Sequence, residues 1–277
     1  FMLDTTLSDA DRYPLKLSDL IVCALNPKKG WADLAWASGP AQVVLDVPVV
    51  GFTGDKYYYP MWKSDDMMDF QGSVLSIDPS GRGKDETAYA IVKMLNGYLY
   101  VTQCGGFAGG YDDKTLQRLA TLAKAEQVNE IIVESNFGDG MFSKLLTPFI
   151  QKTHPCTINE VRHSKQKELR IIDTLEPVMM QHRLVVDEKL IKEDYETAKE
   201  TSYSLFYQMT RLTRDRGAII HDDRLDALSI AVAYWTEQMD ADAELLAGQQ
   251  KLDSFNREIE RFMDNAVGHK RVSDSWI

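Results

Sequence analysis

The sequence predicts an α/β fold: a mixed sheet of three antiparallel strands followed by alternating helices and strands, with helices on both faces. Three observations predict it. Two alternating apolar stretches, TAYAIVKML (87–95) and GYLYVTQ (97–103), meet at Asn96-Gly97, a strong hairpin signal. A third apolar run, SVLSID (73–78), lies just upstream, joined by a short loop. Helical and extended patterns then alternate from residue 112 to residue 187, which calls for parallel strands and right-handed crossovers.

Residues 1–70 show no sustained period. QVVLDVPVVGF (42–52) suggests one or two short strands, and the rest reads as an inter-domain segment or N-terminal extension. The ordered domain runs over 71–239. After the three-strand meander, DDKTLQRLATLAKAEQV (112–128) places Leu116, Leu119, Leu122 and Ala123 on one helical face, with Asp112 or Asp113 as its cap. NEIIVES (129–135) is a second buried-strand run, ending in Glu134. Helices are expected over 138–152, 166–182 and 188–206, with strands at 157–161 and 183–187. HDDRLDALSIAVAYWTEQM (221–239) is the clearest helix, its stripe marked by Leu225, Leu228, Val232 and Trp235. Residues 240–277 are polar, of mixed charge, and expected to form a mobile helix or tail.

Composition narrows the function classes. A hydrophobic share of 44% suits a globular protein with a real core. The formal charge of −11 argues against indiscriminate binding to nucleic acid or anionic membranes, although it does not preclude a local basic surface. Cys23, Cys104 and Cys156 are odd in number and far apart, which favours free thiols in a reducing compartment over disulfides or zinc. No apolar run is long enough to cross a bilayer. The opening FMLDTTLSDADRYP has no secretory signal pattern, and Phe1 before Met2 suggests a start inside a longer chain.

VLSIDPSGRGKDETA (74–88) invites two readings. A phosphate-cradling loop needs G-x-x-x-x-G-K-[ST], but its first glycine falls at Asp78 and its hydroxyl residue at Asp85. No dinucleotide fingerprint is present either, and the segment that follows is a strand. The other reading is a strand that delivers a carboxylate. Asp78 and Glu134 each close an apolar run, and on parallel neighbouring strands they would emerge together at the carboxyl edge. Paired carboxylates repel, and a divalent cation resolves the conflict. HDDRLDAL supplies a third acid. On the helical wheel Asp222 falls nearest the apolar face, Asp226 farther round and Asp223 nearly opposite. Taken singly, each acid could be a turn or cap residue; together, with Gly-rich loops after two of them, they suggest a metal site.

LSIDPSGRGKDETA, IIVESNFGDGMF, HSKQKELRI and HDDRLDALSIAVAYW, in this order over about residues 70–238, resemble the nuclease part of tailed-phage terminase large subunits of the short-tailed coliphage type. The resemblance implies an RNase H-like fold and a metal-dependent endonuclease that cuts concatemeric double-stranded DNA during packaging. It implies that Asp78, Glu134 and an acid of HDDRLD bind one or two Mg2+ or Mn2+ ions, with Asp222 first and Asp223 and Asp226 as alternates. Asp85 and Asp139, in the flanking loops, are further alternates. It also implies an upstream ATPase domain, a small terminase subunit and a portal or procapsid as partners, in the host cytoplasm and without a membrane. With no P-loop here, the chain is expected to be the nuclease region alone, lacking translocation activity.

Hard oxygen ligands suit magnesium or manganese, and scarce His and Cys argue against zinc. Phosphate contacts are expected from Arg82 and Lys84 after Asp78, from Arg162, Lys165, Lys167 and Arg170, and from Arg211, Arg214 and Arg216. No base-reading motif is apparent, so little sequence specificity is expected. The rival readings are an RNase H-like recombination or junction-resolving nuclease, and a non-catalytic docking module in which the acids are merely caps and turns.

Overall fold

A computed structural model describes residues 12–80, 86–135 and 140–268. Its strands, in chain order, are β1 (Ile21–Cys23), β2 (Lys29–Trp31), β3 (Leu34–Ala35), β4 (Trp62–Lys63), β5 (Met67–Asp69), β6 (Gly72–Asp78), β7 (Thr87–Leu95), β8 (Tyr98–Phe107), β9 (Glu130–Glu134), β10 (Thr157–Val161) and β11 (Leu184–Asp187). Its helices are α1 (Asp113–Ala125), α2 (Met141–Thr153), α3 (Lys167–Met180), α4 (Glu188–Thr197), α5 (Leu205–Arg211) and α6 (Asp223–Gly268).

Seven strands form the main sheet in the order β1-β11-β8-β7-β6-β9-β10. The meander β6-β7-β8 is antiparallel, and every other pairing in the sheet is parallel. Asn96 and Gly97 both take positive φ, 49° and 81°, as a tight two-residue hairpin turn requires. β6 and β7 lie inside the sheet and are buried along nearly their whole length, which explains their almost unbroken apolar sequence.

The alternation of side chains along β6 separates two jobs. Leu75 and Ile77 point into a core shared with Ile131 and Val133 of β9, Leu116 and Leu119 of α1, and Phe142 and Leu146 of α2. Ser76 points the other way, where α6 packs. On that same face Tyr234 of α6 donates to Glu130 of β9 at 3.0 Å. Helices therefore cover both faces, and the acids at the strand ends lie beside α6.

Local chemistry sets the helix boundaries. Asp112 caps α1, its carboxylate accepting the Thr115 amide at 2.7 Å. The helix expected over 188–206 is broken in two. The carboxylate of Asp194 in α4 accepts the Ser204 hydroxyl and the Leu205 and Phe206 amides, so the chain turns and α5 begins at Leu205.

Residues 12–69, expected as an extension, supply β1 to the edge of the main sheet. Ile21 and Cys23 share a core with Trp31, Leu34, Leu95, Tyr100 and Val185. No strand forms over 42–52: Pro40–Gln42 is a short 3-10 turn, and Val43 makes an isolated bridge with Tyr58. All three cysteines are free thiols.

The chain divides into two compact units between Tyr234 and Trp235. In the second, residues 240–268 continue α6 as regular helix, with Leu245, Leu252, Phe255 and Ile259 exposed. Among the described residues no helix is long and apolar enough to cross a membrane.

Candidate metal centre

Strand register brings the first two acids together. β6 and β9 are parallel, with Ile77 opposite Val133, so Asp78 and Glu134 are the next residues on adjoining strands. Each follows an apolar stretch that must be buried, and each ends its strand at the same sheet edge. Both carboxylates therefore arrive on the α6 side with little exposure.

The third acid in reach is Asp226. One carboxylate oxygen from each of Asp78, Glu134 and Asp226 lies within 4.8 Å of the other two. Six oxygens around one Mg2+ at about 2.1 Å lie within about 4.2 Å of one another, so a small closure of this set matches a shared ion. Asp226 is fully buried, and its carboxylate also accepts the Ser229 hydroxyl at 3.1 Å.

Asp222, favoured on the helical wheel, takes a different place. The helix starts at Asp223, and the Asp222 carbonyl accepts the Asp226 amide at 2.8 Å. Asp222 is thus the flanking residue, to which a wheel does not apply. Residues 224–232 are also buried around the full circumference of the helix, so the apolar stripe does not define a single inward direction. The Asp222 carboxylate meets Lys167 at 2.8 Å on the rim of the cluster, and half-buried Asp223 is not in the three-acid group. Asp85 and Asp139 lie outside the described residues, as do Arg82 and Lys84.

Two cations from the start of α3 reach into the acids. Lys167 Nζ lies 2.8 Å from Asp222, 3.0 Å from Asp226 and 3.4 Å from Asp78. Arg170 Nη2 lies 2.7 and 2.9 Å from the two oxygens of Asp226, and 3.3 Å from Glu134. Residues three apart on a helix share a face, so the spacing puts both cations on one side of α3 without saying what that side meets. Both were expected to contact phosphate; in this structure both pair with the acid cluster.

Crowding at the buried edge shifts the protonation of these groups. Burial, reinforced by the charges of Asp226 and Glu134, pushes the Asp78 carboxyl up to about 8 against the pull of Lys167. Burial and the Asp226 charge raise Glu134 as well, with Arg170 opposing. Burial disfavours the Lys167 ammonium, but Asp226, Asp78 and Asp222 outweigh it and raise Lys167. Carboxylates crowded at a dry edge demand positive charge, and every ligand atom in the group is a hard oxygen. The donor set therefore fits magnesium or manganese, with the ammonium and guanidinium standing where positive charge is called for.

The other expected phosphate contacts vary in setting. Lys165 and Arg216 are exposed, and Arg216 approaches Gln166, next to Lys167, at 3.4 Å. Arg214 pairs with Asp173 at 3.0 Å and Glu176 at 2.8 Å. Arg211 stacks 3.6 Å over Phe52. Arg162 lies at the site's edge, its Nε donating to Ser135, the residue after Glu134, at 3.3 Å.

Residues 77–184 match the family model described as "Terminase Bacteriophage T7, Ribonuclease H-like domain". The chain is 44% identical, over 275 residues and 97% of its length, to the "Terminase, large subunit" of Enterobacteria phage T3, of which it spans about half, 47%. Among solved structures, the human cytomegalovirus terminase nuclease domain, Mn soaked and inhibitor bound, aligns with TM-score 0.45 and 14% identity, over 59% of this chain and 82% of that one. The large terminase nuclease of thermophilic phage G20c aligns with TM-score 0.44 and 12% identity, over 80% of this chain and 98% of that one.

Proposed function

We propose, from the match of residues 77–184 to the T7-type terminase ribonuclease H-like domain, that the chain is a metal-dependent endonuclease that cuts concatemeric viral DNA during genome packaging. The observation that carries the reading is the meeting of Asp78, Glu134 and Asp226, from two strands and one helix, within 4.8 Å. Gathering three carboxyl groups at one buried edge disfavours their ionised forms, as the raised Asp78 and Glu134 show, and is costly to a fold that does not use them.

Asp78, Glu134 and Asp226 hold the metal in this reading, with Asp222 at the rim. Bound Mg2+ or Mn2+, as one ion or a pair, supplies the Lewis acid that activates water and steadies the leaving oxygen. Arg170 clamps Asp226 and Glu134 in place. Lys167 gives the cluster positive charge until metal binds. The exposed cations Arg162, Lys165 and Arg216, together with Arg82 and Lys84, grip the phosphate backbone. Such contacts carry no base information, so cutting is largely independent of sequence. An ATPase domain, the small terminase subunit and the portal or procapsid hold the DNA in place, within the packaging machinery of the host cytoplasm.

The test is nicking of supercoiled plasmid. The chain nicks it with Mn2+, loses the activity in EDTA, and loses it in Asp226→Asn. Cutting that persists in EDTA, or at the wild-type rate in Asp226→Asn, overturns the reading. Preference for a four-way junction over linear and nicked duplex assigns the chain to recombination instead.

A further inference from the structure

Behind the acid cluster lies a second group of charges, buried and separate from it. Arg224 is 2% exposed, the largest fully buried side chain among the described residues. Its Nη1 lies 2.8 Å from Asp194, and its Nη2 and Nε lie 2.9 and 3.2 Å from one oxygen of Glu86. Glu86 is 4% exposed and Asp194 is 1% exposed.

Such a network is a weak source of stability, because desolvating charges consumes most of what their attraction returns. Its placement supplies a geometric role. Arg224 precedes Asp226 by two residues, so the two side chains leave α6 about 200° apart. Asp226 faces the metal centre while Arg224 anchors the far side of the same turn. Glu86 sits immediately before β7, where the chain returns from the segment after Asp78. Asp194 in α4 also accepts the Leu205 amide at 3.0 Å. Further bonds hold the same turn: Gln208 accepts the Leu225 amide at 3.0 Å, and Cys104 Sγ approaches the Arg224 carbonyl at 3.6 Å.

Glu86 is itself held by an absence. Gly106 in β8 lies against it, and a Cβ there would collide with the Glu86 carboxylate, whose carbon would be 2.7 Å away. Room for the carboxylate thus depends on a glycine that is not part of the acid cluster.

The geometry points to Arg224 as a positioning residue: bridged between Glu86 and Asp194, it sets where Asp226 stands relative to Asp78 and Glu134, and so tunes divalent-cation affinity. This role rests on the metal centre proposed above. Removing Arg224 outright strands two buried carboxylates and endangers folding, so gentler variants test it. Glu86→Gln leaves the Arg224–Asp194 pair in place, and Gly106→Ala shifts Glu86 while keeping every charge. Mn2+ alone is titrated calorimetrically into each, well below its thermal midpoint, with Asp226→Asn alongside. A purely structural role lowers the midpoint and leaves the affinity of the folded protein unchanged. The positioning role predicts that both folded variants bind Mn2+ about tenfold more weakly, the usual scale for a support behind metal ligands. Wild-type affinity in either folded variant, with binding lost in Asp226→Asn, overturns the positioning role and leaves the metal centre standing. Wild-type affinity in Asp226→Asn overturns both.

Discussion

The hydroxyl of Ser76 donates to the carbonyl of Ala227 at 2.5 Å. Ser76 precedes Asp78 by two residues on β6, and Ala227 directly follows Asp226 on α6. One hydrogen bond therefore spans the strand and the helix that carry two of the three clustered acids. The Ala90 carbonyl, at 3.2 Å, is the more distant acceptor for the same proton. Ser76→Ala is expected to cost about 1 kcal/mol, the net worth of a buried hydrogen bond. For a chain of this size that lowers the thermal midpoint by about 2–4 °C. Calorimetry checks it, and an unchanged midpoint would show that the bond contributes nothing.

Lys167 shares the cluster with any metal that enters, since its ammonium contacts Asp222, Asp226 and Asp78. Lys167→Met removes that competing charge. Manganese affinity should rise several-fold, while the metal-free protein becomes less stable because its carboxylates repel without a partner. Titration and thermal denaturation in EDTA read the two effects. Weaker manganese binding in the variant would mean that Lys167 organises the acids rather than competing for them.

Asp78 gives stability a defined pH dependence. Burial, the largest cause, pushes its carboxyl up from an ordinary 3.8 to about 8 in the folded chain. Between those two values the folded state holds a proton that the unfolded state has released. Metal-free stability therefore falls as pH rises through that window, and the full penalty is present above it. Asp78→Asn mimics the protonated form: its midpoint in EDTA should lie near wild type at about pH 4 and several degrees above it at about pH 8. A variant less stable than wild type at the higher pH contradicts this.

The cations around the site should differ in their use for DNA. Arg162 and Lys165 are exposed, and Arg162 stands beside Ser135 at the strand edge. Arg214 is already paired with Asp173 and Glu176. Replacing Arg162 and Lys165 together by alanine should reduce the slope of log affinity against log salt by about 0.9 per lost phosphate contact. Arg214→Ala should leave that slope unchanged. Fluorescence anisotropy with a duplex over a salt series distinguishes the two, and equal slopes for wild type and the double variant would remove both residues from the interface.

Much of this arrangement was legible in the sequence. Asn96-Gly97 between two apolar stretches marked the hairpin, and the runs ending in Asp78 and Glu134 marked buried parallel strands. β1 was not legible, because three residues, Ile21–Cys23, are too few to display a period, and their partner β11 is over 160 positions away. The place of Asp226 was not legible either. A wheel ranks positions by distance from an apolar stripe, and α6 is enclosed on all sides where the acids begin. The same limit applies to Lys167 and Arg170: a basic cluster reads alike whether it faces phosphate or the chain's own carboxylates.

The most direct test of the metal centre is anomalous diffraction from crystals of this chain soaked in manganese. A peak within about 2.2 Å of carboxylate oxygens from Asp78, Glu134 and Asp226, with Lys167 displaced from them, is the predicted result. Manganese bound elsewhere, with Lys167 still seated among the three acids, would contradict it.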